Sequence, residues 1–365
     1  MYLVVILSLV GPFVLSAVAT YVVRGWAVRR GFVDRPAGHK QHEKAVALGG
    51  GVAIVVSFCL PVLLGVLAAW MMNRSAPPGW LPEFVRMHLP GIASKLPVVL
   101  GVLVGAVVLH VVGLIDDRRA LGPWIKFAVQ FAVAIFVAWP MGIRAVELLP
   151  VPLSIAVTVL WIVLITNAFN FLDNMDGLSA GVAAVAAAIF AVASMSVGQI
   201  FVPVMAFVLV GALAGYLLFN FPPASIFMGD AGSLVIGYLM GVLTVLTMFY
   251  DPGLGLTQLG VFVPIVVLAV PLYDVTSVVV HRMRLGLSPF RGDRRHFSHR
   301  LVRRGMSTRG AVLTIYLATA ATGLPAIVLP RVPQWAAVLL LVQCLCVVIM
   351  TAVLEHAGTS SEDLR

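Results

Sequence analysis

Residues 151–178 read Val151-Pro-Leu-Ser-Ile-Ala-Val-Thr-Val-Leu-Trp-Ile-Val-Leu-Ile-Thr-Asn167-Ala-Phe-Asn170-Phe-Leu-Asp173-Asn-Met-Asp176-Gly-Leu178. From 152 to 171 the stretch carries no charge, and about 20 such residues are what a helix needs to cross a bilayer core. Its far end changes character: polar residues recur every third position at 167, 170, 173 and 176. If the helix continues, tightening toward 3₁₀, two amides and two acids point broadly one way and could line a polar, metal-bearing pocket. Gly177 then stops or turns the chain. A fraying, capped helix end accounts for Asp176-Gly177 but not for asparagines one and two turns deeper.

On either side, the rest of the chain repeats the apolar half of this pattern. Of 365 residues 61% are hydrophobic and 11% charged, whereas a soluble domain is about a quarter charged. Mean hydropathy is +1.05. Runs of spanning length are expected at 1–23, 46–72, 96–115, 124–142, 152–171, 178–197, 200–219, 231–250, 258–281, 310–330 and 333–354. The fold expected is therefore an all-α integral membrane protein with about eleven transmembrane helices. Residues 1–354 form one polytopic domain, and 355–365 a short cytoplasmic tail. The first run lacks a small-residue cleavage site and reads as a retained span. Cys59, Cys344 and Cys346 lie in apolar runs without metal-ligand spacing.

The net charge of +9 does not point to nucleic acid, because its distribution is one-sided. Of the 24 Lys and Arg residues, 19 fall in or beside loops that follow odd-numbered spans or in the C-terminal tail, and 5 on the other side. The positive-inside rule makes the odd-numbered loops cytoplasmic and the N-terminus external. Asp116, Asp117, Asp173, Asp176, Asp230, Asp274 and Asp293 all map to that cytoplasmic edge. An ionisable group costs about 2.5–3.5 kcal/mol at a helix centre and marks function by default. One acid at a span end is ordinary capping. Several on one side repel unless a cation sits among them, and oxygen ligands beside phosphate suit Mg²⁺.

Two further segments suit anionic substrates. Phe227-Met-Gly229-Asp230-Ala-Gly232-Ser233 offers a Gly-rich turn into a helix, where free N–H groups favour phosphate. The stretch Asp293-Arg-Arg295-His296-Phe-Ser-His299-Arg300 brings arginine forks and two histidines three apart. As a plain positive-inside loop it would also meet anionic lipid. The first loop has the same theme in Lys40 and His42.

Taken together these motifs resemble the polyprenyl-phosphate N-acetylhexosamine-1-phosphate transferases, a family that includes the phospho-MurNAc-pentapeptide translocase. The resemblance runs from about Asp34 to Gly305 in five motifs. It implies that Asp116, Asp117, Lys126 and Asp173 serve catalysis, and that Asp230 binds Mg²⁺ with Asn170 as second ligand and Mn²⁺ able to substitute. It places the nucleotide on Asn220, Phe227, Asp176 and Asn167, and phosphate or sugar on Lys40, His42, Arg295, His296 and His299. The family's His-x-His-His departs here to His296-Phe297-Ser298-His299, so a role needing the middle imidazole is not carried over. Asn220-Phe-Pro-Pro and Asp116-Asp117-Arg118 favour the GlcNAc-1-phosphate branch over the pentapeptide translocase.

The function this resemblance implies is transfer of a sugar-1-phosphate from UDP-GlcNAc, or another UDP-N-acetylhexosamine, to undecaprenyl phosphate, with UMP released, in the bacterial inner membrane. The lipid phosphate would attack the β-phosphate directly, with Asp116 or Asp117 as base. Other partners are membrane lipid and, as an open assembly, a second copy in a homodimer; nucleic acid is not among them. A secondary transporter is the rival class, yet transporter acids sit at the bilayer midplane in repeated, broken helices. Here they sit at one edge, and no repeat is apparent.

Overall fold

The computed structural model describes residues 2–34, 45–75, 77–79, 81–146, 148–247, 249–250, 253, 255–288 and 296–356. Helices dominate: α1 Tyr2–Arg30, α2 Gly50–Arg74, α3 Glu83–Ser94, α4 Leu96–Arg118, α5 Pro123–Ala138, α6 Val151–Leu172 and α7 Leu178–Ser196. They continue with α8 Phe201–Asn220, α9 Asp230–Leu246, α10 Val263–Val267, α11 Ala269–Arg284, α12 Phe297–Arg303, α13 Thr308–Gly323 and α14 Gln334–His356. A two-residue antiparallel pair, β1 Val33–Asp34 with β2 Val46–Ala47, joins α1 to α2.

Among the described residues eight helices are long and apolar enough to cross a membrane, where the sequence led us to expect eleven spans. The other three expected spans are shorter or bent. The 124–142 run is a 16-residue helix, ended by Pro140 and the left-handed Gly142. The 231–250 run gives 17 helical residues before Thr247 turns extended. The 258–281 run bends by 65° between Val267 and Ala269. Pro271 explains the bend, since it has no N–H for the carbonyl of Val267 and its ring crowds that group. Hydropathy counts apolar residues whether or not the helical ladder passes through them. One helix went unexpected: α3 buries Leu89 and Ala93 and tucks Leu89 beside Ala69 and Leu81.

Lipid tails are as apolar as leucine, so helices in a bilayer associate by close packing rather than by leaving water. The sequence supplies small residues where this chain needs it. Gly211 and Gly215 of α8 lie against the backbone of α1, and Ser16 donates to the Ala212 carbonyl at 2.6 Å. Gly237 and Gly241 of α9 lie against α6 at Thr166 and Ile162. Helix α9 is buried almost throughout and is the bundle's central post.

Gly113 is the contact that matters most to the site. A Cβ there would stand 2.4 Å from the Ala231 Cα and 2.5 Å from the Asp230 carbonyl carbon, both backbone that cannot swing away. Gly113→Ala is expected to lower thermal stability by about 1–3 kcal/mol, the usual cost of overpacking. Gly65→Ala, with nothing within 4 Å, serves as the control and leaves unfolding unchanged. Thermal unfolding of the detergent-purified variants decides it.

Candidate active site

Helix ends of opposite sense meet at one end of the bundle. Asp116 and Asp117 close α4, Lys126 opens α5, Asn170 lies in the last turn of α6 and Asp230 opens α9. The Lys126 ammonium bridges two helices' acids, 3.1 Å from Asp116 Oδ2 and 2.8 Å from Asp230 Oδ2. Asn170 Nδ2 donates to Asp230 Oδ1 at 3.0 Å and to Ser233 Oγ at 2.9 Å. Asp230 is thus held from both sides.

Beside these residues opens a cavity of about 320 Å³ lined by Pro123, Lys126, Phe127, Gln130, Asn167, Asn170, Phe171, Asp173, Asn174, Arg282 and His296. Asp173 follows α6 as its C-cap. Its carboxylate accepts no hydrogen bond among the described residues. Burial, then the negative charges of Asp230, Asp117 and Asp176, push it well above the ordinary carboxylate range.

The sequence expectation of one continuous polar stripe is corrected here. Helix α6 ends at Leu172, Gly177 turns the chain at φ +71°, and α7 begins at Leu178. Three of the four, Asn167, Asn170 and Asp173, still line the cavity, while Asp176 turns away from it. Asn167 pairs with Gln130 of α5, its Nδ2 donating to Gln130 Oε1 at 2.5 Å. Asn170 serves Asp230, Asp173 faces the cavity, and Asp176 accepts from the Ala224 amide at 2.8 Å. In this arrangement Asn170 donates to Asp230 through Nδ2 and so orients that carboxylate.

The Gly-rich turn before α9 is a second correction. Its amides were expected to be free for phosphate. Instead Asp117 takes them, with Oδ1 accepting from the Asp230 N–H at 2.8 Å and Oδ2 from Ala231 at 3.3 Å. A carboxylate at a helix N-terminus satisfies orphan donors and meets the positive end of the dipole. Gly229, at φ +67°, is required because a Cβ there would lie 2.3 Å from Asp117 Oδ2. Asp116 and Asp117, alike in sequence, thus differ in place: one faces Lys126, the other caps α9.

Asn220, Asp176 and Phe227 lie outside the cavity lining and gather at the 220–227 turn. Asn220 is buried; its Oδ1 accepts from Gly177 N at 3.0 Å and its Nδ2 donates to the Ile226 carbonyl at 2.8 Å. Phe227 is half-buried and extends β2, its N–H donating to the Ala47 carbonyl at 2.8 Å. Arg309 ties α13 to the same turn through the Pro222 carbonyl at 2.7 Å.

The histidine motif reaches the cavity from the other side. His296 lines it, and His299 is buried with its ring 6.4 Å away. Ser298, in the place of the motif's middle histidine, donates to Asn174 Oδ1 at 2.6 Å and so braces the cavity wall. Lys40, His42 and Arg295 lie outside the described residues.

Two lining residues, Gln130 and Arg282, and one buried acid outside the lining were not singled out in the sequence. Gln130 sits one turn beyond Lys126 in an otherwise apolar helix, and that i,i+4 spacing was its signal. Arg282 read as one of many loop arginines, yet it is buried over the Phe171 ring at 5.4 Å. Glu355, assigned to a free tail, is buried in α14 and pairs with Arg300 at 3.3 Å.

The donor chemistry fits a hard divalent cation. Asp116 and Asp230 flank Lys126, Asp117 caps the helix that Asp230 opens, and the oxygens of Asp173, in the same cavity as Lys126, accept from no described residue. Among the described residues no three acids, histidines or cysteines already converge as a ligand set. Lys126 holds the gap between Asp116 and Asp230.

Known proteins share the region that builds this arrangement. The model of glycosyl transferase family 4 matches residues 99–248, which carry Asp116 through Asp230. The chain is 31% identical over 359 residues to the "Probable undecaprenyl-phosphate N-acetylglucosaminyl 1-phosphate transferase" of Bacillus subtilis, covering 95% of this chain and 90% of the relative. It is 34% identical over 342 residues to the decaprenyl-phosphate N-acetylglucosaminephosphotransferase of Mycolicibacterium smegmatis, covering 85% and 79%. Over 350 residues it is 27% identical to the undecaprenyl-phosphate alpha-N-acetylglucosaminyl 1-phosphate transferase of Salmonella typhi, covering 91% and 87%.

Proposed function

The chain belongs to glycosyl transferase family 4, and on that footing we propose that it transfers N-acetylglucosamine-1-phosphate from UDP-GlcNAc to undecaprenyl phosphate. An oxygen of the lipid phosphate bonds to the β-phosphorus. The bond from that phosphorus to the bridging oxygen breaks, and UMP leaves with its electron pair. The observation that carries this reading is Lys126 set between Asp116 and Asp230, beside a polar cavity lined by the open carboxylate of Asp173.

Such chemistry needs position and charge neutralisation more than covalent help. Asp230 and Asp173 would hold Mg²⁺, which neutralises charge on the diphosphate when bound. Lys126 faces the same charge, and Asn170 keeps Asp230 aimed. With Asp117 capping α9, Asp116 is the member of the pair placed to act on the lipid phosphate. The cavity's end of the bundle is read as cytoplasmic, and the two short helices and the bent one as crossings that complete eleven. The one-sided basic residues and the regular alternation of helix ends at the site support that topology.

Purified protein is expected to move radiolabel from UDP-GlcNAc to undecaprenyl phosphate only with Mg²⁺ present. EDTA should stop the reaction and added Mg²⁺ restore it. Folded protein that gives no lipid product from UDP-GlcNAc, UDP-GalNAc or UDP-MurNAc-pentapeptide would overturn the reading in favour of a transporter.

A further inference from the structure

Asp274 belongs to no motif used so far, yet it is 1% exposed and lies on α11 facing the cavity's histidine. Its Oδ2 is 3.0 Å from His296 Nδ1, and its Oδ1 accepts the Phe297 N–H at 3.1 Å, at the start of α12. An ionised carboxylate only accepts, so the proton on this side of the ring must sit on Nδ1. The other nitrogen, Nε2, makes no hydrogen bond among the described residues, although His296 lines the cavity with Asp173, Lys126 and Arg282. Phe171 packs edge-on against the ring with centroids 6.1 Å apart, so the ring cannot turn freely.

We propose that Asp274 is a positioning residue: it holds the Nδ1–H side of the His296 ring, so that the ring, protonated on both nitrogens once the diphosphate is bound, donates Nε2–H to a phosphate oxygen of the UDP-sugar. The inference rests on the transferase reading above. A carboxylate behind a histidine both orients it and stabilises its charged form, and a diphosphate in front completes the arrangement. As UMP departs, charge gathers on its phosphate, and a fixed cationic donor there acts on the transition state more than on the bound substrate.

Asp274→Asn tests this with little change of shape. The amide oxygen can keep the Phe297 bond, while its NH₂ faces Nδ1. The ring must then carry its proton on Nε2 and stay neutral. Initial rates of transfer from UDP-GlcNAc to undecaprenyl phosphate, with Mg²⁺ and the full chain in detergent, are compared for wild type, Asp274→Asn, His296→Ala and the double variant. Expected are a fall of about 10²-fold in kcat for Asp274→Asn, an unchanged KM for undecaprenyl phosphate, and a double variant no slower than His296→Ala alone. A wild-type kcat in Asp274→Asn, or losses that multiply in the double variant, overturns the proposal. If Asp274→Asn fails to give monodisperse protein, Asp274→Glu enters the same cycle under the same criterion. A wild type inactive with all three UDP-sugars named above removes the transferase reading itself, which separates that failure from this one.

Discussion

Asp230→Asn is expected to reduce transfer by about 10³-fold or more while leaving the protein folded. Both oxygens of Asp230 have assigned work, one accepting from Lys126 and the other from Asn170. An asparagine could serve one of these donors with its oxygen, and its NH₂ would then face the other. The ammonium of Lys126 would lean to Asp116 alone. One preorganised electrostatic group is worth about 10²–10³ in rate, and a lost metal ion adds several kcal/mol in the transition state. The backbone N–H of residue 230 still reaches Asp117 in the variant, so the α9 cap survives. The readout is kcat for lipid product at saturating Mg²⁺, with thermal unfolding as the control. A variant within tenfold of wild type, at any Mg²⁺ concentration, would remove Asp230 from the metal site.

Asp173→Asn is expected to separate activity from stability. This carboxyl is pushed upward by burial and by Asp230, Asp117 and Asp176. A raised folded-state value means the folded protein binds the proton more tightly than the unfolded chain. Its contribution to stability is then full below the unfolded value, about pH 4, and is lost as pH rises through the folded value. Replacing it with a neutral isostere removes that pH-dependent loss. In metal-free buffer Asp173→Asn should therefore unfold at a higher temperature than wild type at pH 8, with the gap closing near pH 4. Mg²⁺ should stabilise wild type and leave the variant unmoved, since the ion rewards only the ionised group. Transfer should fall about 10²-fold or more. A variant as active as wild type, or a stability gap that widens toward low pH, would show that Asp173 holds neither metal nor charge.

Groups with such different surroundings were visible in the sequence only as residue types. Asp173 and Asp176 share one motif and one spacing. Yet one is left open in a cavity while the other accepts a backbone N–H, because the helix stops at Leu172 between Asn170 and both of them. Asp116 and Asp117 are neighbours with the same chemistry. About 100° of helical rotation separates adjacent side chains, and that alone sends Asp117 to the α9 amides and Asp116 to Lys126. The hydropathy runs were read correctly as apolar helices, but three fell short of straight spans because Pro140, Thr247 and Pro271 sit inside or at the end of apolar runs.

Composition and residue order alone were enough to establish the class of molecule, a helical multi-pass membrane protein, and to single out acids that the fold gathers at one end of the bundle. These come from runs of about 20 apolar residues and from polar residues at their ends, both of which are local along the chain. Which partner each acid takes was decided by the tertiary fold. It set Lys126 between acids 10 and 104 residues away and turned the α9 amides to Asp117. It also brought Asp274 to His296 across 22 residues and buried Glu355 beside Arg300. Those partners are chosen by close approach of helices at glycines such as Gly113, and such an approach depends on two distant surfaces fitting at once.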